Sequence, residues 1–336
     1  MRNNATCLGE TSPPSGRLLS KRATWGVGSW VALALWANPV AAQAPTPNAR
    51  DISAVDAARL YHTACATCHG LRGDGNGRGV ARLGTPRPRD FTAGVFKFRS
   101  TPSYAPPTDE DLYRVILRGV PGTWMPAWNR LLSEAEMWAL AAYIRGFSTP
   151  SELDPPIEIP DPPEPTPELV REGQAVYAVL QCGQCHGVAG RGDGPSADDL
   201  RDDWEYPIDA YDFTRGNYKN GSTPSDLYRT LVTGLSGTPM PALERENLTF
   251  PGGPDVDVTP MQQSLDPERA EWVGAFVAAQ PTAVELEAMT EGEVVALVQH
   301  RTWALVYYVR SLNRPAGAFY WLFRGNPDLQ GTGGSQ

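Results

Sequence analysis

One pentapeptide occurs twice and constrains everything else in the chain: Cys65-Ala66-Thr67-Cys68-His69 and Cys182-Gly183-Gln184-Cys185-His186. This is the Cys-x-x-Cys-His spacing that attaches a c-type haem. Residues three and four apart share a helical face. Both thiols of a motif therefore point to one side, placed to form thioether bonds with one porphyrin, and the His beside them can reach its iron. A zinc site would need two further ligands near each motif, and the spacing supplies none. The five cysteines are Cys7 and the four of the motifs, so no pair remains for a disulfide. Two covalently bound haem c groups are expected to act as the staples of the fold.

The first 44 residues read as a signal peptide. Lys21-Arg22 precedes an apolar run from Trp25 to Trp36 that is short for a membrane span, and Ala42-Gln43-Ala44 is a small-residue cleavage site. Export to the periplasm is the expectation, which suits covalent haem attachment. Charge is divided unevenly. The net charge is −9 for all 336 residues, +3 over 51–150 and −16 over 151–336. A chain this acidic excludes a nucleic-acid partner and favours other proteins.

The second half repeats the first. The haem motifs lie 117 residues apart. Arg-Gly-Asp-Gly recurs at 72–75 and 191–194, Asp-Phe-Thr at 90–92 and 212–214, and Asp-Leu-Tyr-Arg at 111–114 and 226–229. Gly-Thr-x-Met-Pro recurs at 122–126 and 237–241, and Trp-Ala-Leu begins at Trp138 and Trp303. The register slips after Met240, so about 50 extra residues, placed at about 244–300, separate it from the last helix. The Pro-rich acidic stretch 151–167 reads as a semi-rigid linker. Helices are expected over 53–69, over 108–118, and from the Ser133/Glu136 capping box onward. Gly70 and Gly187 stop the haem-motif turns. The Arg- and aromatic-rich loop 86–107 is expected to wrap a haem, with Phe91, Phe96, Phe98 and Tyr104 against the ring and its arginines toward the propionates. The tail 317–336 carries the aromatic cluster Phe319 to Phe323.

Met125 and Met240 are the candidate second axial ligands. Among six methionines only these two occupy repeated positions, each 54–56 residues past its motif His. A thioether above the iron favours the ferrous state and raises the potential. His62 and His300 are the competing ligands; a Met that only fills core is the plain alternative. The metal ligands are thus expected to be His69, Met125, His186 and Met240, with Cys65, Cys68, Cys182 and Cys185 holding the porphyrins.

Each half resembles a class I cytochrome c: a helix leading into Cys-x-x-Cys-His, a Met-Pro loop and a C-terminal helix bearing an aromatic. The tandem is similar to dihaem cytochromes of the cytochrome c4 type. The resemblance implies an all-α fold of two domains, 51–150 and 168–316. It implies crossed terminal helices, with Tyr61 or Leu60 against Tyr143 and Tyr177 or Val176 against Tyr308. It also implies a non-enzymatic carrier of single electrons between redox proteins, free or as a subunit of a membrane-bound respiratory complex. A dihaem peroxidase or thiosulfate-oxidising enzyme is the rival reading.

Overall fold

The computed structural model describes residues 53–82, 86–149, 153–253, 255, 257–263 and 265–313. The expected signal peptide and the aromatic tail lie outside them. The fold is all-α: the described residues contain helices and short 3₁₀ turns, with one isolated β-bridge between Arg201 and Pro207 and no strand. No helix among them is long and apolar enough to cross a membrane.

The first half contains α1 (Ala54–Ala64), α2 (Ala66–His69), α3 (Asp109–Arg118) and α4 (Glu134–Arg145). The chain was expected to run as one helix into the haem motif; instead it breaks at Cys65, which caps α1 and starts α2. Ser53, Thr108 and Ser133 cap α1, α3 and α4, and the last two close full capping boxes with Asp111 and Glu136. Helix α1 crosses α4 where Tyr61, fully buried, meets Tyr143 with ring centroids 5.3 Å apart.

The second half repeats this plan with α5 (Pro167–Val179), α6 (Gly183–His186) and α7 (Pro224–Thr233). Its last helix, α12 (Glu291–Ser311), is longer than its first-half counterpart. The expected boundary at 300 therefore falls inside a helix: the insertion supplies the first turns of α12, and His300 lies mid-helix. Tyr177 of α5 packs edge-on against Tyr308 of α12 at 5.2 Å. A Cβ on Gly173 would sit 1.9 Å from the Ala304 carbonyl oxygen, so only glycine permits this close crossing.

The rest of the insertion forms α8 (Arg245–Leu248), α9 (Thr259–Gln262), α10 (Pro267–Ala278) and α11 (Ala283–Ala288). It packs on its own half. Val273 and Val277 of α10 join Ala175 of α5 in a small core, and Leu248 is fully buried in the main core of that half. Arg301 of α12, 1% exposed, ties the insertion down. Its guanidinium donates to the Leu248 carbonyl and to Gln280 Oε1 (2.7 Å) and lies 3.9 Å over the Phe250 ring.

The Pro-rich segment touches both halves. The Ile157 N–H donates to the Ser100 carbonyl (2.7 Å), and the Tyr307 hydroxyl donates to the Pro163 carbonyl (2.6 Å). The halves also meet directly. Arg99, fully buried, donates to the carbonyls of Phe96 and Pro102 in its own half and Thr233 in the other. The Tyr104 N–H donates to Ser236 Oγ (2.9 Å), and its hydroxyl donates to Asp203 (3.0 Å).

Candidate haem sites

Each motif turn is held from beneath by the Arg-Gly-Asp-Gly loop that follows it. The N–H groups of Gly75, Gly77 and Gly79 donate to the carbonyls of His69, Cys68 and Thr67. Gly192, Gly194 and Ser196 repeat this on His186, Cys185 and Gln184. A Cβ on Gly77 or Gly194 would collide with the motif backbone at 2.2–2.3 Å, so the glycines permit the close approach. No group of three or more His, Cys, Asp or Glu that could hold a metal ion occurs among the described residues. Gly70 and Gly187 turn the chain at φ 80° and 74°, and their carbonyls accept from the Tyr61 and Tyr177 hydroxyls at 2.8 and 2.7 Å.

The imidazoles are fixed by the same two contacts in each half. The Nδ1 of His69 lies 3.1 Å from the Arg89 carbonyl and that of His186 3.0 Å from the Tyr211 carbonyl. These bonds settle the tautomer: Nδ1 carries the proton and Nε2 keeps its lone pair for a metal. Phe91 stacks on His69 at 4.5 Å and Phe213 on His186 at 4.4 Å. Burial lowers both imidazole pKa values, which keeps the rings neutral as a metal ligand must be. Burial likewise pushes the Cys65 thiol up to about 11 and the Cys182 thiol up to about 12.

The Met-Pro loops are also duplicated in space. Thr123 Oγ1 donates to the Val120 carbonyl (2.7 Å) and accepts from the Met125 N–H (3.1 Å), while the Val120 N–H donates to the Met125 carbonyl (3.0 Å). Thr238, Leu235 and Met240 make the same three bonds at 2.7, 3.3 and 3.1 Å. The Gly-Thr before each Met is thus a device for closing the loop that presents it.

In the first half, Cys65, Cys68, His69 and Met125 all border one cavity, walled by Phe91, Phe96, Phe98, Leu112, Ile116 and Leu140. Apolar walls, two unpaired thiols, a neutral imidazole and a thioether fit a covalently held haem. In the second half, Cys182 and Met240 pack against the core that holds Tyr218 and Tyr228, and Phe213 packs there too. Neither competing histidine is placed to serve. His62 meets the edge of the Tyr61 ring, and His300, more than half exposed, bonds Glu172 at 2.5 Å. Tyr104 does not border the first cavity; it bridges to the other half.

Of the arginines of loop 86–107 expected toward the propionates, Arg87 and Arg89 border the cavity, but Arg99 does not, because its guanidinium is taken up by the Pro102, Phe96 and Thr233 carbonyls. Sequence reasoning missed Gly173 and the buried Arg301. It also missed Lys97 and Lys219, each seven residues after the Asp of Asp-Phe-Thr and so equivalent under the repeat. Both border the first cavity. The Asp-Phe-Thr register was the signal that would have found them.

The cytochrome c oxidase cbb3-type subunit III family profile matches residues 53–144, and the cytochrome c profile matches 170–249. Cytochrome c55X of Paracoccus denitrificans is 38% identical over 85 residues, which are 25% of this chain and 65% of that protein. The chain thus spans somewhat under two thirds of that relative. A chain of the reducing HAO-like protein complex of Kuenenia stuttgartiensis is 33% identical, with a TM-score of 0.59, over 77% of this chain and 96% of its own. The chain belongs to the c-type cytochromes. It carries two cytochrome c domains, and with them two covalently bound haem c groups.

Proposed function

We propose that this is an exported dihaem electron-transfer cytochrome, arranged as a tandem pair of the cytochrome c4 kind, in which both irons are held between His and Met. Cys65 and Cys68 tether the first haem and His69 and Met125 ligate it; Cys182, Cys185, His186 and Met240 do the same for the second. The supporting observation is the placement of His69, Met125 and both thiols on one apolar cavity, with the hydrogen bonding of the His and Met loops duplicated in the other half. A bound haem supplies a one-electron ferric/ferrous couple. The chain's own residues fix the imidazole tautomer, exclude water with stacked aromatics and present the thioether. With both axial positions filled, no position is left for substrate, so the reading is of a carrier rather than a catalyst.

Residues 1–44 act in this reading as a cleaved signal peptide for the periplasm, and 151–167 joins domains 51–150 and 168–316. The similarity to a chain of the reducing HAO-like protein complex favours work as an electron-transfer subunit beside an oxidoreductase, with membrane attachment through that partner. Magnetic circular dichroism of the oxidised protein tests the ligation: a methionine–iron charge-transfer band with the intensity of two haems is expected. Rapid, complete binding of cyanide or carbon monoxide at either haem would instead favour the dihaem-enzyme reading.

A further inference from the structure

Four cations border the first cavity: Arg87, Arg89 and Lys97 from the first half and Lys219 from the second. Arg87 has partners, hydrogen-bonding Asn76 and Tyr206 and lying 4.4 Å over the Tyr206 ring. The other three form no direct ion pair among the described residues. Among the described residues, no carboxylate oxygen comes within 4.0 Å of Arg89, Lys97 or Lys219. The Arg89 guanidinium lies over Trp204 of the second half at 4.7 Å, and Lys219 lies 5.9 Å from the Tyr211 ring. All three are half-buried. Asp90, Asp202 and Asp203 act on Arg89, Asp202 on Lys97 and Asp209 on Lys219 from beyond ion-pair distance, yet burial still lowers the pKa of all three cations. Charge withdrawn from water without a countercharge in contact is costly, so such a cluster favours an anion. A haem held by Cys65 and Cys68 would supply such an anion through its two propionates.

We propose that Lys97 and Lys219, with Arg89, form one cationic clamp built by both halves, which holds the propionates of the first haem and makes its reduction potential depend on the docked second half. Lys97 and Lys219 are repeat equivalents, yet both turn toward the first cavity, so the duplication has been put to use across the interface. Burial, with Arg89 and Lys219 and against the opposing pull of Asp202, pushes the Lys97 ammonium down to about 8, so the cations lie close enough to repel one another. Propionates seated there relieve that crowding. A positive charge beside the haem favours the reduced state, because reduction adds a negative charge to the group. The clamp rests on haem attachment and not on which protein gives or takes the electron.

The test is a potentiometric titration of the haem-loaded protein, each haem assigned by its paramagnetically shifted methyl resonances. Lys97→Met and Lys219→Met should each lower the potential of the first haem, by about tenfold in its reduction equilibrium, which is about 59 mV for one electron. Lys219→Arg should retain the wild-type value. A first-haem potential unmoved by Lys219→Met would overturn the clamp, as would a potential that shifts on adding inorganic phosphate to the wild type, since the cations would then be open to solution anions. Resonance Raman propionate bending bands of the wild type give a readout that needs no variant. Hydrogen-bonded propionates are expected on the first haem; solvent-exposed ones would also overturn the proposal.

Discussion

Tyr61 and Tyr177 each close the cap beneath a haem motif through one buried hydroxyl, bonded to the carbonyl of Gly70 or Gly187. Burial, as the largest cause, raises the pKa of both phenols, so they are protonated donors at neutral pH. Removing either oxygen strands a buried carbonyl. Tyr61→Phe or Tyr177→Phe should therefore cost about 1–2 kcal/mol in chemical denaturation of the haem-loaded protein. The His/Met reading is tested at the same scale. Met125→His replaces a soft thioether by an imidazole, so the first haem should titrate at a lower potential and half of the methionine charge-transfer band should disappear.

Among the elements, the α5–α12 crossing is the most exacting. With the Ala304 carbonyl where a Gly173 Cβ would be, any larger side chain must push the helices apart. Gly173→Leu should cost about 3 kcal/mol or more, read as a lowered denaturation midpoint, whereas overpacking elsewhere costs about 1–3. The insertion is secured to α12 differently, through the buried cation of Arg301, whose pKa burial lowers to about 10. Arg301→Met keeps the length but leaves the Leu248 carbonyl and Gln280 without their donor. A loss of about 2–3 kcal/mol is expected, with earlier proteolysis in 245–280 as the local sign.

At the scale of the whole molecule, the halves are joined by polar contacts and by arginines laid over aromatic rings. Asp226 is the clearest titratable member. Its carboxylate caps α7 at Thr223, pairs with Arg229 at 2.8 Å and faces Arg118 of the first half at 3.6 Å. Burial by itself would raise its pKa; the bonds from Thr223 and Arg229, helped by Arg118, outweigh it and hold the group below the ordinary carboxylate range. A depressed folded value stabilises the protein above the unfolded value of about 4, and that contribution is lost as pH falls through the folded value. Asp226→Asn should lower stability at neutral pH and flatten its fall below about pH 4, as measured by acid unfolding of wild type and variant in parallel.

Covalent chemistry and local backbone preference could be read along the chain. Cys-x-x-Cys-His names its cofactor by spacing, the capping boxes at Thr108 and Ser133 act within four residues, and the duplicated segments announced two similar halves. The Tyr61–Tyr143 and Tyr177–Tyr308 contacts followed from the resemblance and are present. Other features depend on residues distant in sequence. Cys65 breaks the helix because the motif turn must lie on the glycine loop that follows it. His300 falls mid-helix because the insertion packs on α5 and extends α12. Lys219 reaches the first haem cavity only because the second half packs beside it. Such contacts come from burying one surface against another, and the energy of burial depends on which surfaces meet, which no local pattern along the chain records.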